Sequence, residues 1–254
     1  MAIFINLVWL DALIVVFAVT AVWLAASRYY VPTITPVEGP PEPGEAFEPR
    51  DAAEEALVEL GFAYAGGFSV FMTEEVSCAC RAFLLPGTSH TVILSYMQSK
   101  GQQLSYAEFN TEFVPKRCVS TFNAGTPGAF GSLETTFAVR VPWHKDLRAL
   151  FALHKRLCDL AEANAFRPAP IGPGDIPARL VSGTREVLEY QVQRARLKRI
   201  DEDTYRHTLL GALLAVPLVW LNMAYGILFL WYRRSDDSIV RRAEKWFERA
   251  AFRR

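Results

Sequence analysis

The chain is poor in chemical signposts. It holds only four cysteines, Cys78, Cys80, Cys118 and Cys158, among 254 residues, too few and too scattered to frame a fold with disulfides. Cys78-Ala79-Cys80 lacks the two-residue spacer of a zinc knuckle or a thioredoxin-like motif. On a strand the two thiols share one face and read as small buried hydrophobes, with a cross-strand disulfide to Cys118 as the other reading. No Asn-x-Ser/Thr sequon is present, so glycosylation gives no hint of compartment. Neither charge sign is in excess, with 27 basic and 27 acidic residues, which removes any global draw toward nucleic acid or acidic partners. The four histidines, His90, His144, His154 and His207, include no His-Glu-x-x-His pattern and no cysteine or carboxylate neighbours at a familiar metal spacing. The stretch Gly125 to Gly131 is glycine-rich but lacks the Lys-Ser/Thr end of a phosphate loop, and no Gly-x-Ser-x-Gly elbow occurs. No cofactor, metal ligand or catalytic residue is therefore nominated.

What the chain does have is two long apolar runs, over 3–28 and 208–232, in a sequence that is 51% hydrophobic with a mean hydropathy of +0.13. A hydrocarbon core of about 30 Å needs ~20 helical residues at about 1.5 Å each. Both runs are expected to be transmembrane helices. The first lacks a basic n-region and is longer than a secretory core, which favours a retained anchor, although Ala25-Ala26-Ser27 offers a cleavage site. Asp11 and Asn222 fall at similar depths in antiparallel spans, so an intramembrane polar pair is expected, the alternative being that Asp11 caps the first helix at the interface.

Basic residues flank the cytosolic ends of spans, and the short tail after Tyr232 carries eight of them. That places both termini in the cytoplasm and the central domain on the extracytoplasmic side of a bacterial inner membrane. Residues 233–254 read as a basic amphipathic helix, with Arg241, Arg242, Lys245, Trp246 and Phe247 meeting the headgroups. Between the spans lie a proline-rich acidic linker (29–50), a domain (51–166), a second proline-rich linker (167–178) and a helical stalk (179–207).

The central domain opens on a short amphipathic helix over Ala52 to Leu60. Alternating runs follow at Phe68 to Met72, Val76 to Leu85, Thr91 to Met97, Leu104 to Phe113, Cys118 to Phe122 and Glu134 to Val141. A helix over Lys145 to Ala165 carries the stripe Leu147, Leu150, Phe151, Leu157, Cys158 and Ala161. The expected fold class is α+β: an antiparallel five- or six-stranded sheet flanked by helices and held between two transmembrane helices. His154 lies on the buried stripe as a candidate buried histidine, read first as a core residue and otherwise as a base or ligand. Glu108, Asn110 and Glu112 form a polar ladder, within which the two carboxylates lie roughly 13 Å apart at about 3.3 Å per residue, too far to share a proton.

The function expected from these features is a non-enzymatic, membrane-anchored binding or complex-assembly module. Its partners would be the lipid bilayer, a protein of a membrane complex or a second copy through the stalk, and no nucleic acid. The alternative is a membrane-bound enzyme using His154 or the Glu108/Glu112 face.

Overall fold

The structure is a computed structural model that describes residues 15–37, 49–73, 76–99, 102–125, 132–217, 220 and 235–252. The chain forms two compact units, each assembled from separate stretches of sequence. The larger takes Pro32–Gly183 and returns to collect helix 236–252; the smaller joins the segment before Pro32 to the one after Gly183.

The larger unit is built on an eight-stranded mixed sheet. Strands β2 (Thr33–Val37), β3 (Ala63–Thr73), β4 (Val76–Leu84), β5 (His90–Ser99), β6 (Gln102–Val114) and β7 (Arg117–Phe122) run antiparallel in sequence order. Strand β8 (Thr136–Arg140) then lies parallel to β7. The two-residue β9 (Arg167–Pro168) pairs with the end of β6, where β5 no longer reaches.

Alternation sorts the side chains between the faces. Val92, Leu94, Phe109, Val119, Phe137 and Val139 point to one, where α2 (Pro49–Glu59), α3 (Leu147–Ala163) and α6 (Asp236–Phe252) cover them. Phe68, Val70, Cys78, Cys80, Ala82 and Ile93 point to the other and meet Ile176 and Leu180 of α4 (Asp175–Gln193). Arg81 stands on the first face, where Glu54 of α2 pairs with it at 2.6 Å and Tyr64 lies under its guanidinium.

The smaller unit holds a three-stranded sheet in the order β1 (Arg28–Tyr30), β11 (Thr204–His207), β10 (Leu197–Arg199). Helices α1 (15–26) and α5 (described over 209–217) meet through Ala21, Leu24, Ala212 and Val216. Other apolar side chains of these helices, Val19, Val22, Leu210 and Leu214 among them, are exposed. The hairpin β10–β11 is tied to α4 by Arg185–Asp203 at 2.8 Å and by Glu189, which receives the Tyr205 hydroxyl at 2.5 Å and pairs with Arg199.

These observations correct the sequence reading. Among the described residues no helix is long and apolar enough to cross a membrane. The fold held between two transmembrane helices, and with it the placement in a bacterial inner membrane, is not supported. Asp11 and Asn222 lie outside the described residues.

The sheet has more strands than five or six, and it is mixed. The link from β7 to β8 covers 123–135, which meets the dozen or so residues that a parallel crossover needs. Part of the first linker becomes β1 and β2, because Thr33-Ile34-Thr35 supplies β-branched residues to an edge position where Pro36 is tolerated.

The stalk is not a continuous helix. Helix α4 stops at Gln193 in a Schellman arrangement, with Arg196 N donating to Gln191 O at 2.9 Å, Ala195 N to Val192 O at 2.8 Å, and Ala195 at φ +55°. The β10–β11 hairpin follows, turned by Asp201, whose carboxylate accepts from Asp203 N at 3.1 Å.

The tail is a helix, but its apolar face has a different destination from the headgroups. Ile239, Ala243 and Phe247 are buried, Phe247 lies against Phe137 and Phe166, and Trp246 edges onto Phe137. Asp236 and Asp237, in its first turn, reach His144 at 2.9 Å and Arg156 at 2.8 Å. Arg241 and Lys245 face solvent, and Arg242 sits over the Phe137 ring at 5.6 Å.

Candidate metal centre

Helix α3 places the central residues. Asp146 caps it, its side chain accepting from Arg148 N at 2.9 Å. Positions Leu147, Leu150, His154, Leu157, Cys158 and Ala161 recur on one face and are all buried. His154 and Cys158, four residues apart, therefore stand one turn from each other over the sheet. Beneath them, β5 and β6 set His90 directly opposite Thr111, and β6 and β7 set Phe109 opposite Thr121.

The polar atoms converge. Thr111 Oγ1 lies 2.6 Å from His90 Nδ1 and 2.8 Å from His154 Nε2. Thr121 Oγ1 lies 3.1 Å from His154 Nδ1, and Cys158 Sγ lies 3.5 Å from His154 Nε2. The Thr111 hydroxyl has one proton, so it accepts from one ring and donates to the other. If His90 donates, the chain of protons ends with His154 Nδ1 donating to Thr121, and the Nε2 lone pair points at Thr111 and Cys158.

Aromatic rings enclose the group. Phe151 stacks on His154, Phe109 lies 5.8 Å from it, and His90 meets Phe151 edge-on. His154 and Cys158 are 0% and 1% exposed, so water does not reach either.

Burial sets the protonation states. Desolvation, with a smaller push from His90, lowers the His154 pKa to about 3. Desolvation also lowers His90, with Asp159 and Lys155 acting in opposite senses on it. Cys158 is pushed up to about 12, again chiefly by burial. At neutral pH the group is two uncharged imidazoles and a thiol. One ligand atom from each of His90, His154 and Cys158 falls within 4.8 Å of the others. A tetrahedral zinc ion with bonds of 2.0–2.3 Å wants its ligand atoms roughly 3.3–3.8 Å apart, so side-chain rotations of about 1 Å would close the set.

The polar ladder of β6 lies on the other face. Glu112 pairs with Arg179 at 2.6 Å, and Glu108 accepts from Ser120 Oγ at 2.8 Å. Arg81 of strand β4 is paired with Glu54 on the opposite face. Desolvation raises the Glu108 pKa, opposed by hydrogen bonds from Ser120 and Asn110. A raised carboxyl favours the folded state below its unfolded value and loses that advantage as pH rises through the folded one. Glu108→Gln retains an acceptor for Ser120 without the ionisation. Its stability at neutral pH should therefore exceed that of the parent, and the gain should shrink toward pH 4. Urea unfolding at the two pH values checks this; equal gains at both would refute it.

Among the described residues, His154 is the sequence-nominated site candidate that this centre contains. His90, Thr111, Thr121 and Cys158 are the additions. The four-residue interval between His154 and Cys158 is readable on a helix, whereas His90 enters only through strand register. Comparison with known protein families, curated proteins and solved structures finds no match to this chain.

Proposed function

We propose that this protein is a non-enzymatic binding module whose larger unit holds one borderline divalent metal ion, zinc-like in preference, through His90, His154 and Cys158. The convergence of two imidazole nitrogens and a thiol inside an apolar shell carries this reading. Imidazole and thiolate together suit zinc and its neighbours rather than calcium or magnesium, which want oxygen ligands. A catalytic ion needs an open coordination position; this set is sealed by Phe109, Phe151 and α3, which fits an ion that steadies the fold. The same closure weighs against His154 as a general base, since no substrate atom could reach it without displacing the helix.

The test is titration of the chelator-stripped full chain with Co(II) under reducing conditions. One equivalent should bind with thiolate-to-cobalt charge-transfer absorption and tetrahedral ligand-field bands. The imidazoles are already free of protons and the thiol is not, so binding should release about one proton and tighten about tenfold per pH unit through the neutral range. Cys158→Ser should abolish the charge-transfer bands. If that variant does not fold, loss of cobalt binding in His90→Gln, at the partly exposed ligand, gives the same answer. Absence of both signals would end the proposal.

A further inference from the structure

The opposite face of the same sheet carries a different set of ligating atoms, all of them soft. Cys78 and Cys80 are two residues apart on β4 and so project to one side, with Sγ atoms 3.6 Å apart. Directly across on β5, Met97 stands opposite Cys78 and Ser95 opposite Cys80. Directly opposed residues in an antiparallel pair have Cβ atoms about 4.5–5.5 Å apart. The Ser95 hydroxyl lies 3.7 Å from Cys80 Sγ, and Met97 packs against the cluster formed by both cysteines. Two thiols and a thioether are thereby gathered on one cross-strand diamond.

Around them stand Phe68, Val70, Ala82 and Ile93 from the sheet and Ile176 and Leu180 above, with Tyr106 and Glu108 on the next strand opposite Ser95 and Ile93. Both thiols are buried, and Met97 at the rim is partly exposed. Thiolate and thioether ligands select soft d10 ions over harder divalent ones. A dry site also favours the lower charge, because the cost of desolvating an ion rises steeply with its charge.

We propose that Cys78, Cys80 and Met97 form a second metal site that takes a soft monovalent ion, copper(I), independently of the His90–His154–Cys158 centre. The ion replaces the proton on each thiol that becomes a thiolate ligand, and those protons pass to solvent; no electron is transferred. Entry lies on the Met97 side, the more exposed edge of the set. This goes beyond the zinc-like reading, uses none of its residues and can fail without it.

The experiment uses the full chain, reduced with a phosphine, saturated with zinc and kept anaerobic. Copper(I) is offered against bathocuproine disulfonate, and silver(I) serves as a redox-inert second probe. One equivalent of either ion should be bound, and the X-ray absorption spectrum of bound copper should show a sulfur-only shell with no imidazole scattering. Loss of an outer-shell partner alone costs 10–100-fold in metal affinity, so Cys78→Ser and Cys80→Ser should each weaken binding by at least about 100-fold. Met97→Leu should weaken it by about tenfold. Imidazole in the copper shell, an unchanged affinity in Met97→Leu, or a Cys78–Cys80 disulfide surviving the reductant would each overturn the proposal. The absorption spectrum is read on the parent protein, so it stands even if a serine variant fails to fold.

Discussion

Gly211→Ala should dismantle the smaller unit. Thr208 caps α5: its hydroxyl accepts from Gly211 N at 2.9 Å and donates to Ala195 O at 2.7 Å, while its own amide donates to Arg196 O at 3.0 Å. The first turn of the helix is thus stitched to the segment that leaves α4 and enters β10. At Gly211 the two backbones are in contact, because a Cβ built there would lie 1.8 Å from Arg196 O and 2.6 Å from its carbonyl carbon. Neither partner is a flexible side-chain end that could swing aside. Alanine favours a helix more than glycine by about 1 kcal/mol, and here that preference is outweighed. Relieving the overlap means giving up the Thr208 cap and its two cross-links, with an expected loss of about 3 kcal/mol or more. Hydrogen exchange checks this directly. The amides of Thr208, Gly211 and Ala212 should lose protection while those of β4 to β6 keep theirs. Unchanged protection at Thr208 would show that the contact is not tight.

The metal-free protein should lose stability steeply below neutral pH, and His154 should be a main cause. Folded, its ring titrates at about 3; unfolded, it titrates near 6.5. Between those values the unfolded chain binds a proton that the folded chain refuses, so stability rises with pH. The contribution is complete above about 6.5 and is lost as pH falls toward 3, at up to about 1.4 kcal/mol per unit. The groups facing the ring are His90 from β5, Cys158 one turn along α3, and the hydroxyls of Thr111 and Thr121. Of these only His90 titrates in the same window, and its lowered pKa adds to the effect. His154→Gln removes one titration and keeps a polar side chain. The stability difference between parent and variant, measured with a chelator present, should shrink by about 3 kcal/mol from pH 7 to pH 4. Parallel curves over that range would mean that His154 is protonated, or exposed, in the folded state.

Much of the larger unit could be read from residue order. Val76, Cys78, Cys80 and Ala82 alternate with Ser77, Ala79 and Arg81, and the strand lies where that pattern puts it. Helix α3 follows its stripe, and α6 follows Ile239, Ala243 and Phe247. What an amphipathic face packs against is not written in its period, which is why the α6 stripe could be assigned to headgroups when it closes a protein core. The helix stops were hidden for a local reason. Both α3 and α4 end on alanines in the left-handed region, Ala165 at φ +62° and Ala195 at φ +55°, where glycine would have announced the turn. Without that mark, the helical pattern of the 179–207 stalk shows no stop before His207.

Both apolar runs border polar segments, and those segments fold into the sheet of the smaller unit. Ser27 ends α1 with bonds to Trp23 O and Leu24 O, and Arg28 is already a strand residue. The ligand clusters were invisible for a third reason. Only the pairing of β5 with β6 brings His90 to Thr111, and only that of β4 with β5 brings Met97 to Cys78. Register is a property of two strands, and neither sequence alone contains it.

Because each unit is completed by residues from the far side of the other, the order of synthesis has consequences for the nascent chain. Strands β3 to β8 and helix α3 leave the ribosome long before Phe247, which fills the space between Phe137 and Phe166. Until then that flank of the sheet is open to water and to other nascent polypeptides. A chaperone that shields apolar surface during translation should therefore stay engaged with this flank until α6 has emerged.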